Sequence, residues 1–387
     1  MKVAFIIPNL YPPGGNSVTV MKYIKEAAKK CDQVILFQSY EFTDNNSYPL
    51  NVLSQIKNVK VVTLRLAWYK IIELTRDVPY GYIIHYIFFP IFVALRRQLN
   101  KKILAQNLKE VQGIYAFDFV DSDIFPKGSP PVIVGTHNQK MGPLKAKAIE
   151  VGIFLRRASG IRLFESERPY SESLKNKKVE IIPKGVDTNL FIPRDSTENA
   201  KIRFLFVARL EPKKGLDILL DSWKMSDVRD RAELHIVGDG RLSYMVRNQI
   251  DKSIVYHGPI YDEELASVYR NSDVFIFPTE WDTQATVIAE ALSSGLYTLC
   301  SDYMNGVYDD FQQMGFLRYI RNDAENFSAA IRETVSGWKE DFERRKKLHS
   351  YVEQNRSQSK ELEMILSFVS ELFDNGMANT RKKVNEL

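Results

Sequence analysis

The chain has 387 residues, with 44% apolar, 26% charged and 12% aromatic side chains and a net charge of +5. This length predicts two domains, and the composition excludes a disordered, collagenous or disulfide-scaffold protein. Only Cys31 and Cys300 are present, so no disulfide framework is indicated and a reducing, cytoplasmic setting is favoured. The first residues, MKVAFIIPNL, predict a buried strand and not a signal peptide.

Charge is unevenly distributed along the chain. Up to Ile182 there are 26 Lys and Arg against 15 Asp and Glu, a balance of +11, whereas the remainder has 27 against 33, a balance of −6. A basic half indicates an anionic partner, either a membrane surface or a nucleic acid. No zinc-finger spacing or RNP-like aromatic signature accompanies the charge, so a membrane is favoured, and a solvated basic face without a partner stays open.

Short apolar runs alternate with helical patterns over both halves of the chain. The runs predict ten strands: Lys2–Ile7, Val34–Phe37, Val59–Leu64, Gly113–Ala116, Val132–Thr136, Ile202–Ala208, Leu234–Val237, Ile254–His257, Val274–Phe277 and Tyr297–Ser301. The clearest helical patterns are Leu216–Trp223, Leu242–Asp251, Glu263–Arg270, Thr286–Ser293 and Glu361–Phe373. This rhythm predicts an α/β protein with two tandem, Rossmann-like, doubly wound domains.

The predicted organisation has three parts. Residues 1–182 form a first domain, and residues 183–357 form a second domain that begins in a connector containing Pro and Gly. Residues 358–387 form a C-terminal helix and a polar tail, which we expect to be frayed from Gly376 onward.

Ligands of open α/β sheets bind outside the carboxyl ends of the strands, and the first such position carries glycines. Gly14 and Gly15 precede a helix opened by Asn16 and Ser17. Glycines let a phosphate or sugar approach the backbone, and a helix start offers N–H donors. An ordinary Pro/Gly turn explains this stretch equally well, and it is neither a G-x-G-x-x-G nor a Walker loop.

In the second half, Arg209 and Lys214 follow a predicted strand and precede a helix. Arg offers a bidentate fork and Lys a point charge, a combination that suits a pyrophosphate, although a solvated turn is the alternative. After the strand Val274–Phe277 come Asp282, in a loop, and Glu290, about two turns into the next helix. Carboxylates accept hydrogen bonds from sugar and ribose hydroxyls, and N–H groups at the helix start can hold phosphate oxygens. A helix cap and a solvated helix residue are the alternatives for these two acids.

Taken in chain order, six segments resemble the retaining glycosyltransferases of GT-B fold, in particular glycosyltransferase family 4. They are PPGGNSVTV, VIVGTHNQ, IIPKGVDTNLF, VARLEPKKGLDILL, YHGPIYDEELASVYRNSDVFIFP and PTEWDTQATVIAEALSSG. Four positions depart from the family pattern: Lys184 stands where Asn is usual, Asp282 replaces the first Glu of the acidic pair, and Thr283 and Ala285 stand where Gly is common. The sugar pocket therefore differs in shape, and the identity of the sugar is not carried over.

The resemblance implies a role for each matching residue. His137 lies near the transferred sugar, Arg209 and Lys214 hold the diphosphate, Asp282 touches the sugar, and Glu290 touches the ribose. The implied acceptor side is Gly14, Gly15, Asn16 and His137. The implied donor side is Gly15, Arg209, Lys214, Gly258, Ile260, Asp282, Thr283, Gln284, Ala285, Thr286, Val287 and Glu290.

The activity implied by the resemblance is retaining, metal-independent transfer of a sugar from a UDP- or GDP-linked donor to a glycan or lipid-linked acceptor, with no cofactor. Asp121 and Asp123 form a D-x-D string, which we interpret as a solvated loop and not as metal ligands. The alternatives are another GT-B nucleotide-sugar enzyme, such as an epimerase, or a non-catalytic membrane-associated scaffold. A glycan phosphorylase is usually much longer, and Gly238 and Gly240 give only part of an NAD fingerprint.

The first half also contains the apolar, aromatic run Tyr80–Leu95, followed by five cations and no acid over 96–109. The run is short for a membrane span, which needs about 20 residues, and it contains Pro90. An interfacial or core segment is the better interpretation. Together with the basic balance, it predicts reversible, salt-sensitive association with the inner face of an anionic membrane.

Overall fold

The computed structural model describes residues 1–7, 15–38, 52–65, 81–117, 122, 124–135, 157–174, 177–195, 200–249, 251–282 and 285–385. The chain divides into two compact units, one formed by Met1–Ile182 with Leu362–Leu387 and the other by Pro183–Glu361. The C-terminal helix thus joins the first unit from Leu362 onward. That helix continues to Asn385, so the expectation of a frayed tail from Gly376 is wrong for the described residues.

The first unit is built on a seven-stranded sheet in which every pairing is parallel. The strand order is β3-β2-β1-β4-β5-β6-β7. The strands are β1 Lys2–Ile7, β2 Gln33–Gln38, β3 Val59–Thr63, β4 Gly113–Ala116, β5 Val132–Gly135, β6 Gly160–Leu163 and β7 Lys178–Ile181. The helices are α1 Gly15–Lys30, α2 Gly81–Asn107 and, from the end of the chain, α10 Gln358–Asn385.

The C-terminal helix packs closely on this sheet because two strands begin with glycine. A Cβ atom at Gly113 would lie 2.4 Å from Val369, and one at Gly160 would lie 2.5 Å from Phe368. Val369 and Phe368 belong to the same buried cluster as Phe5 of β1. The apolar side of α10 therefore completes the core of the first unit.

The second unit contains a six-stranded, fully parallel sheet of order β10-β9-β8-β11-β12-β13. Its strands are β8 Ile202–Val207, β9 Ala232–Val237, β10 Ile254–Gly258, β11 Val274–Phe277, β12 Tyr297–Ser301 and β13 Leu317–Ile320. Its helices are α3 Leu216–Ser226, α4 Ser243–Arg247, α5 Asp262–Arg270, α6 Thr286–Ser293, α7 Asp309–Gln313, α8 Ala324–Gly337 and α9 Phe342–Arg356. The predicted fold class, two doubly wound parallel sheets, is confirmed. Each strand order reverses direction once, at β1/β4 and at β8/β11, and such switch points open crevices at the carboxyl ends of the strands.

Four buried charges hold the amino end of β11. Asp273 Oδ1 accepts hydrogen bonds from Arg194 at 2.6 Å and from Arg345 at 2.8 Å, while Arg345 also reaches Glu340 at 2.6 Å. Burial by itself would raise the pKa of Glu340, but the hydrogen bonds and charges of the two arginines lower it. The second oxygen of Asp273 accepts the backbone N–H of Arg203 at 2.8 Å. This cluster ties the start of β11 to the connector and to the start of α9.

The basic run in the first unit is not uniformly exposed. Arg96 is only 2% exposed, so it belongs to the interior and not to a solvated basic face. Its neighbours Lys101 and Lys102 on α2 are exposed. Ile91, Leu95 and Leu99 are also exposed and form an apolar stripe at helical spacing. Among the described residues, no helix has the length and apolar character needed to cross a membrane.

Two histidines on neighbouring strands of the second unit contact each other. His235 Nδ1 lies 3.0 Å from His257 Nε2, and the two rings stack with centroids 5.2 Å apart. Burial lowers the pKa of His235 to about 4, and the charges of His257 and Arg203 act in the same direction. His235 is therefore neutral in the folded protein at neutral pH.

This burial makes stability depend on pH. An unfolded histidine titrates near pH 6.5, so between about pH 6.5 and pH 4 the unfolded chain binds a proton that folded His235 does not. We expect the second unit to lose about 1 to 2 kcal/mol of stability from this residue between pH 7 and pH 5. Urea unfolding at both pH values should show a smaller loss for His235→Gln than for the wild type. Equal losses in the two proteins would contradict the assignment.

Candidate functional site

The loops that follow β8 and β11 meet at the switch point of the second sheet. Gly215 has a φ of +73°, and a Cβ atom built there would lie 1.8 Å from the carbonyl oxygen of Pro278. The carbonyl oxygen of Lys213 accepts a hydrogen bond from the Thr279 hydroxyl and another from the Glu280 N–H, each at 3.0 Å. Only glycine fits this approach, so the two loops are held against each other.

This approach places Lys214 beside Asp282. Lys214 Nζ donates to Asp282 Oδ2 at 2.5 Å, and the two side chains are 18% and 20% exposed. Asp282 Oδ1 accepts the backbone N–H of Ala285 at 2.8 Å, immediately before α6 begins. Asp282 therefore pairs with the cation and also holds the backbone of Ala285, the residue at the N-cap position of the helix. Among the described residues, no side chain caps the helix itself, so the interpretation of Asp282 as its cap is wrong.

Ala285 adopts a left-handed backbone conformation, with φ +37° and ψ +52°. This conformation is costly for a residue with a Cβ atom and is normally occupied by glycine. The buried Tyr308 donates its hydroxyl to the Ala285 carbonyl at 3.2 Å. In this conformation Ala285 places a methyl group at the helix start, where the resembled family pattern would have none.

Glu290 lies in the second turn of α6 and contacts a buried tyrosine. Tyr269 of α5 donates its hydroxyl to Glu290 Oε2 at 3.0 Å and lies 3.3 Å from the Val287 carbonyl. Burial, and then the negative charge of Glu290, raise the pKa of Tyr269 well above its usual value. The tyrosine stays protonated at physiological pH and holds the Glu290 carboxylate in one orientation.

Other described residues of the predicted donor set lie on several elements of the same unit. Arg209 follows β8 and is exposed. Within the described part of the chain, its guanidinium has no recorded hydrogen bond or ion pair. Gly258, with a φ of +69°, ends β10 two strands from β8, and Ile260 packs against the core beyond it. Thr286 and Val287 open α6. The structure thus brings Lys214 and Asp282 into contact, whereas Gly258 lies at the far edge of the sheet.

Several predicted positions lie outside the described residues. These are Gly14, Asp121, Asp123, His137, Thr283 and Gln284. Gly15 and Asn16 open α1. The described residues contain no group of three or more His, Cys, Asp or Glu side chains that could hold a metal ion.

Residues that sequence reasoning did not single out support this site. Tyr269 and Tyr308 orient Glu290 and Ala285, and a tyrosine inside an apolar helical pattern gives no signal that distinguishes it from core. Gly238 and Gly240 have their own structural reason. Their Cβ atoms would lie 1.8 Å from the Ala208 carbonyl and 2.6 Å from the Leu210 carbonyl, so close packing against the turn after β8 requires glycine without any dinucleotide.

One comparison with known proteins falls within the second unit. Residues 201–336 match the family model described as Glycosyl transferases group 1. This match covers most of the second unit, which is therefore similar to the glycosyl transferases group 1 domain. The match confirms the resemblance to glycosyltransferases that the motifs of the second unit indicated.

Two curated relatives align over part of the chain. One is the GDP-mannose-dependent alpha-mannosyltransferase of Mycobacterium tuberculosis, 34% identical over 127 residues, which are 31% of this chain and 32% of that protein. Another is the mannosylfructose-phosphate synthase of Agrobacterium fabrum, 27% identical over 149 residues, which are 33% of each chain. The match thus spans about a third of the length of these relatives.

Solved structures resemble the whole chain in fold. Sucrose-phosphate synthase from Thermosynechococcus elongatus has a TM-score of 0.72 at 16% identity, covering 97% of this chain and 100% of that one. Anabaena HepE in complex with UDP and glucose has a TM-score of 0.64 at 15% identity, covering 96% and 100%. These likenesses support the GT-B fold for both units.

The contact between Gly215 and Pro278 generates a stability prediction with a matched control. Gly215→Ala adds a methyl group against a carbonyl oxygen in a left-handed backbone, whereas Gly306→Ala meets only the backbone cost, because no atom lies within 4 Å of that Cβ position at φ +87°. Overpacking costs about 1 to 3 kcal/mol beyond the shared backbone strain. Urea unfolding should therefore show Gly215→Ala less stable than Gly306→Ala by at least about 1 kcal/mol. Equal stabilities would show that the two loops are not in contact.

Proposed function

We propose that this protein is a retaining glycosyltransferase that moves a sugar from a nucleoside-diphosphate sugar to a glycan or lipid-linked acceptor. The observation that carries the proposal is the Lys214–Asp282 pair at the switch point, directly before the start of α6. A cation, a carboxylate and a helix start at one place suit a diphosphate joined to a polyhydroxyl group. The named activities of the curated relatives, and the UDP bound to the HepE neighbour, support the same class of donor.

The donor diphosphate would lie against Lys214, Arg209 and the first N–H groups of α6. Arg209 is exposed and carries a bidentate fork, so it can close on the phosphates when the donor binds. Both cations act on negative charge that grows on the departing nucleoside diphosphate, and this differential stabilisation accelerates bond cleavage. They take the place of a divalent metal.

The Lys214–Asp282 pair has a second consequence for the reaction. Asp282 fixes the position of the ammonium group before the donor arrives, so little side-chain ordering remains for the binding step. Asp282 is itself fixed by the N–H of Ala285, and in this proposal the transferred sugar lies against it. The carboxylate can then accept hydrogen bonds from sugar hydroxyls while it holds the cation.

The ribose of the donor would lie near Glu290. The Tyr269 hydroxyl holds this carboxylate at 3.0 Å, which favours one orientation for accepting hydrogen bonds from a ribose diol. Transfer itself proceeds on the front face of the sugar. The acceptor hydroxyl oxygen bonds to the anomeric carbon as the bond from that carbon to the phosphate oxygen breaks, and the hydroxyl proton passes to the departing phosphate.

The acceptor belongs to the first unit in this proposal, with Gly14, Gly15, Asn16 and His137 as its expected contacts. The basic balance of residues 1–182 and the exposed Ile91, Leu95 and Leu99 stripe support reversible attachment to an anionic membrane and hence a lipid-linked acceptor in glycolipid or cell-surface polysaccharide synthesis. The protein would work at the cytoplasmic face of that membrane.

The proposed contacts of Arg209 and Lys214 with the donor diphosphate are tested by removing these two charges. Arg209→Ala and Lys214→Ala should each lower turnover by about 10² or more, the scale seen when one transition-state donor is lost. Lys213→Ala is the matched control, because Lys213 is the adjacent exposed lysine and contributes its carbonyl, not its side chain, to the site. Initial rates with the same donor would measure the effect. Near-wild-type rates for both Arg209→Ala and Lys214→Ala would remove these residues from the site.

The two carboxylates should separate into binding and turnover effects. Glu290→Gln should weaken binding of the free nucleoside diphosphate as well as turnover, because the ribose contact exists in the product complex. Asp282→Asn keeps an oxygen for the Ala285 N–H but loses the charge beside Lys214, so it should act mainly on turnover. Calorimetric titration of the nucleoside diphosphate, paired with initial rates, would measure both. Wild-type affinity in Glu290→Gln would contradict the ribose assignment.

A further inference from the structure

The first unit contains a groove of about 550 Å³ between α2 and the segment 124–130. Its floor is apolar and includes Leu104 and Ile124, which are 2% and 1% exposed. Volumes of about 300 to 1,000 Å³ with an apolar lining are typical of small-molecule sites. The groove is therefore large enough and apolar enough to take a ligand of its own.

The walls of this groove carry charge of one sign. Arg97, Lys101, Lys109 and Lys127 line it, and no Asp or Glu is among the described residues that line the groove. Lys101, Lys109 and Lys127 are exposed, and within the described residues none of the three has a recorded ion pair. Four cations around an apolar floor repel one another unless an anion lies among them. The chemistry that complements such a groove is a chain that carries a phosphate or similar anion at one end.

The position of the groove separates it from the proposed transfer site. α2 leads into β4 and the segment 124–130 leads into β5, and the amino ends of these strands are joined by the Ile114 N–H donating to the Pro131 carbonyl at 2.9 Å. Substrates of parallel α/β sheets bind at the carboxyl ends of the strands. The groove opens near the amino ends of β4 and β5, where α2 and the segment 124–130 lead into these strands. It is therefore separate from the acceptor contacts expected after the carboxyl ends of β1 and β5.

We propose that this groove is a binding site for a phosphate-bearing amphiphile, with the phosphate among Lys101, Lys109 and Lys127 and the hydrocarbon chain on Leu104 and Ile124. Among the described residues, this groove shares none with the proposed transfer site. Binding in the groove can therefore be tested whether or not the protein transfers a sugar. The ligand can come from an anionic membrane lipid or from a free single-chain phosphate ester, because both present the same chemistry to the groove.

The test uses decyl phosphate below its critical micelle concentration and the full-length protein. Calorimetric titration should show saturable binding that exceeds the binding of inorganic phosphate, which lacks the chain, and of decyl maltoside, which lacks the anion. Lys101→Gln should weaken binding roughly fivefold, the effect of about one surface cation, and Lys101→Gln with Lys127→Gln roughly 25-fold. Lys102→Gln is the matched control, since Lys102 is the next exposed residue of α2 but does not line the groove, and its affinity should stay within about twofold of the wild type.

Three outcomes would overturn the proposal. They are an absence of decyl phosphate binding, equal weakening by Lys101→Gln and Lys102→Gln, and equal affinity for inorganic phosphate. Binding of oligoglutamate with the same affinity and the same Lys101 dependence would assign the groove to an acidic protein segment instead. Flotation with vesicles containing anionic lipid then separates the two sources: competition by decyl phosphate indicates a membrane lipid, and binding of decyl phosphate without such competition indicates a free phosphate ester.

Discussion

The candidate site depends on one steric constraint, the approach of Gly215 to the carbonyl oxygen of Pro278. A Cβ atom at Gly215 would lie 1.8 Å from that oxygen, so any other residue would separate the loops that follow β8 and β11. The hydrogen bonds to the Lys213 carbonyl fasten the same loops from the adjacent residue. Because these loops belong to the two strands at the switch point, a backbone contact decides whether Lys214 reaches Asp282.

Charged side chains of the second unit pair at both ends of its parallel strands. At the carboxyl ends, the Lys214–Asp282 pair is partly exposed, so either side chain can exchange its partner for a ligand or share it with one. At the amino edge, Asp273 and Arg345 are almost fully buried and are satisfied by each other and by Glu340. A buried cluster of paired charges is costly to open, because separating one pair leaves an uncompensated charge in the interior. The second cluster therefore holds β11 in place, while the first remains available for chemistry.

Most of the fold could be predicted from the sequence, because near-continuous apolar strands and intervening helices are a strong local pattern. The strands β6, β7 and β13 were not predicted. They have four residues each, and all three contain charged residues, as in GIRL, KVEI and LRYI, which interrupt the apolar run. The end of α10 was predicted wrongly. The helix continues beyond the residues packed on the first sheet, and its polar sequence there has no apolar periodicity that would indicate a helix.

The candidate site was predictable in its residue types but not in its contacts. Motif spacing pointed to Lys214, Asp282 and Glu290. The ion pair between Lys214 and Asp282, and the left-handed backbone of Ala285, arise from tertiary packing and could not be predicted. Tyr269 had no signal of its own, because its role depends on α5 lying beside α6. Likewise, Arg96 lies in a basic run but is buried. This burial could not be predicted, because a run of charges does not show which way each side chain faces on a helix.

The central claim is that the cations and helix start at the switch point act on a nucleoside diphosphate without a metal. The most direct measurement incubates the full-length protein with a panel of UDP- and GDP-sugars, without acceptor and with excess EDTA, and follows release of the free nucleoside diphosphate. Many transferases slowly hydrolyse their own donor, so the account predicts release from one donor class at a rate unaffected by EDTA. Loss of release in EDTA that magnesium or manganese restores would contradict the metal-free mechanism, and no release from any donor with or without metal would contradict the proposed activity.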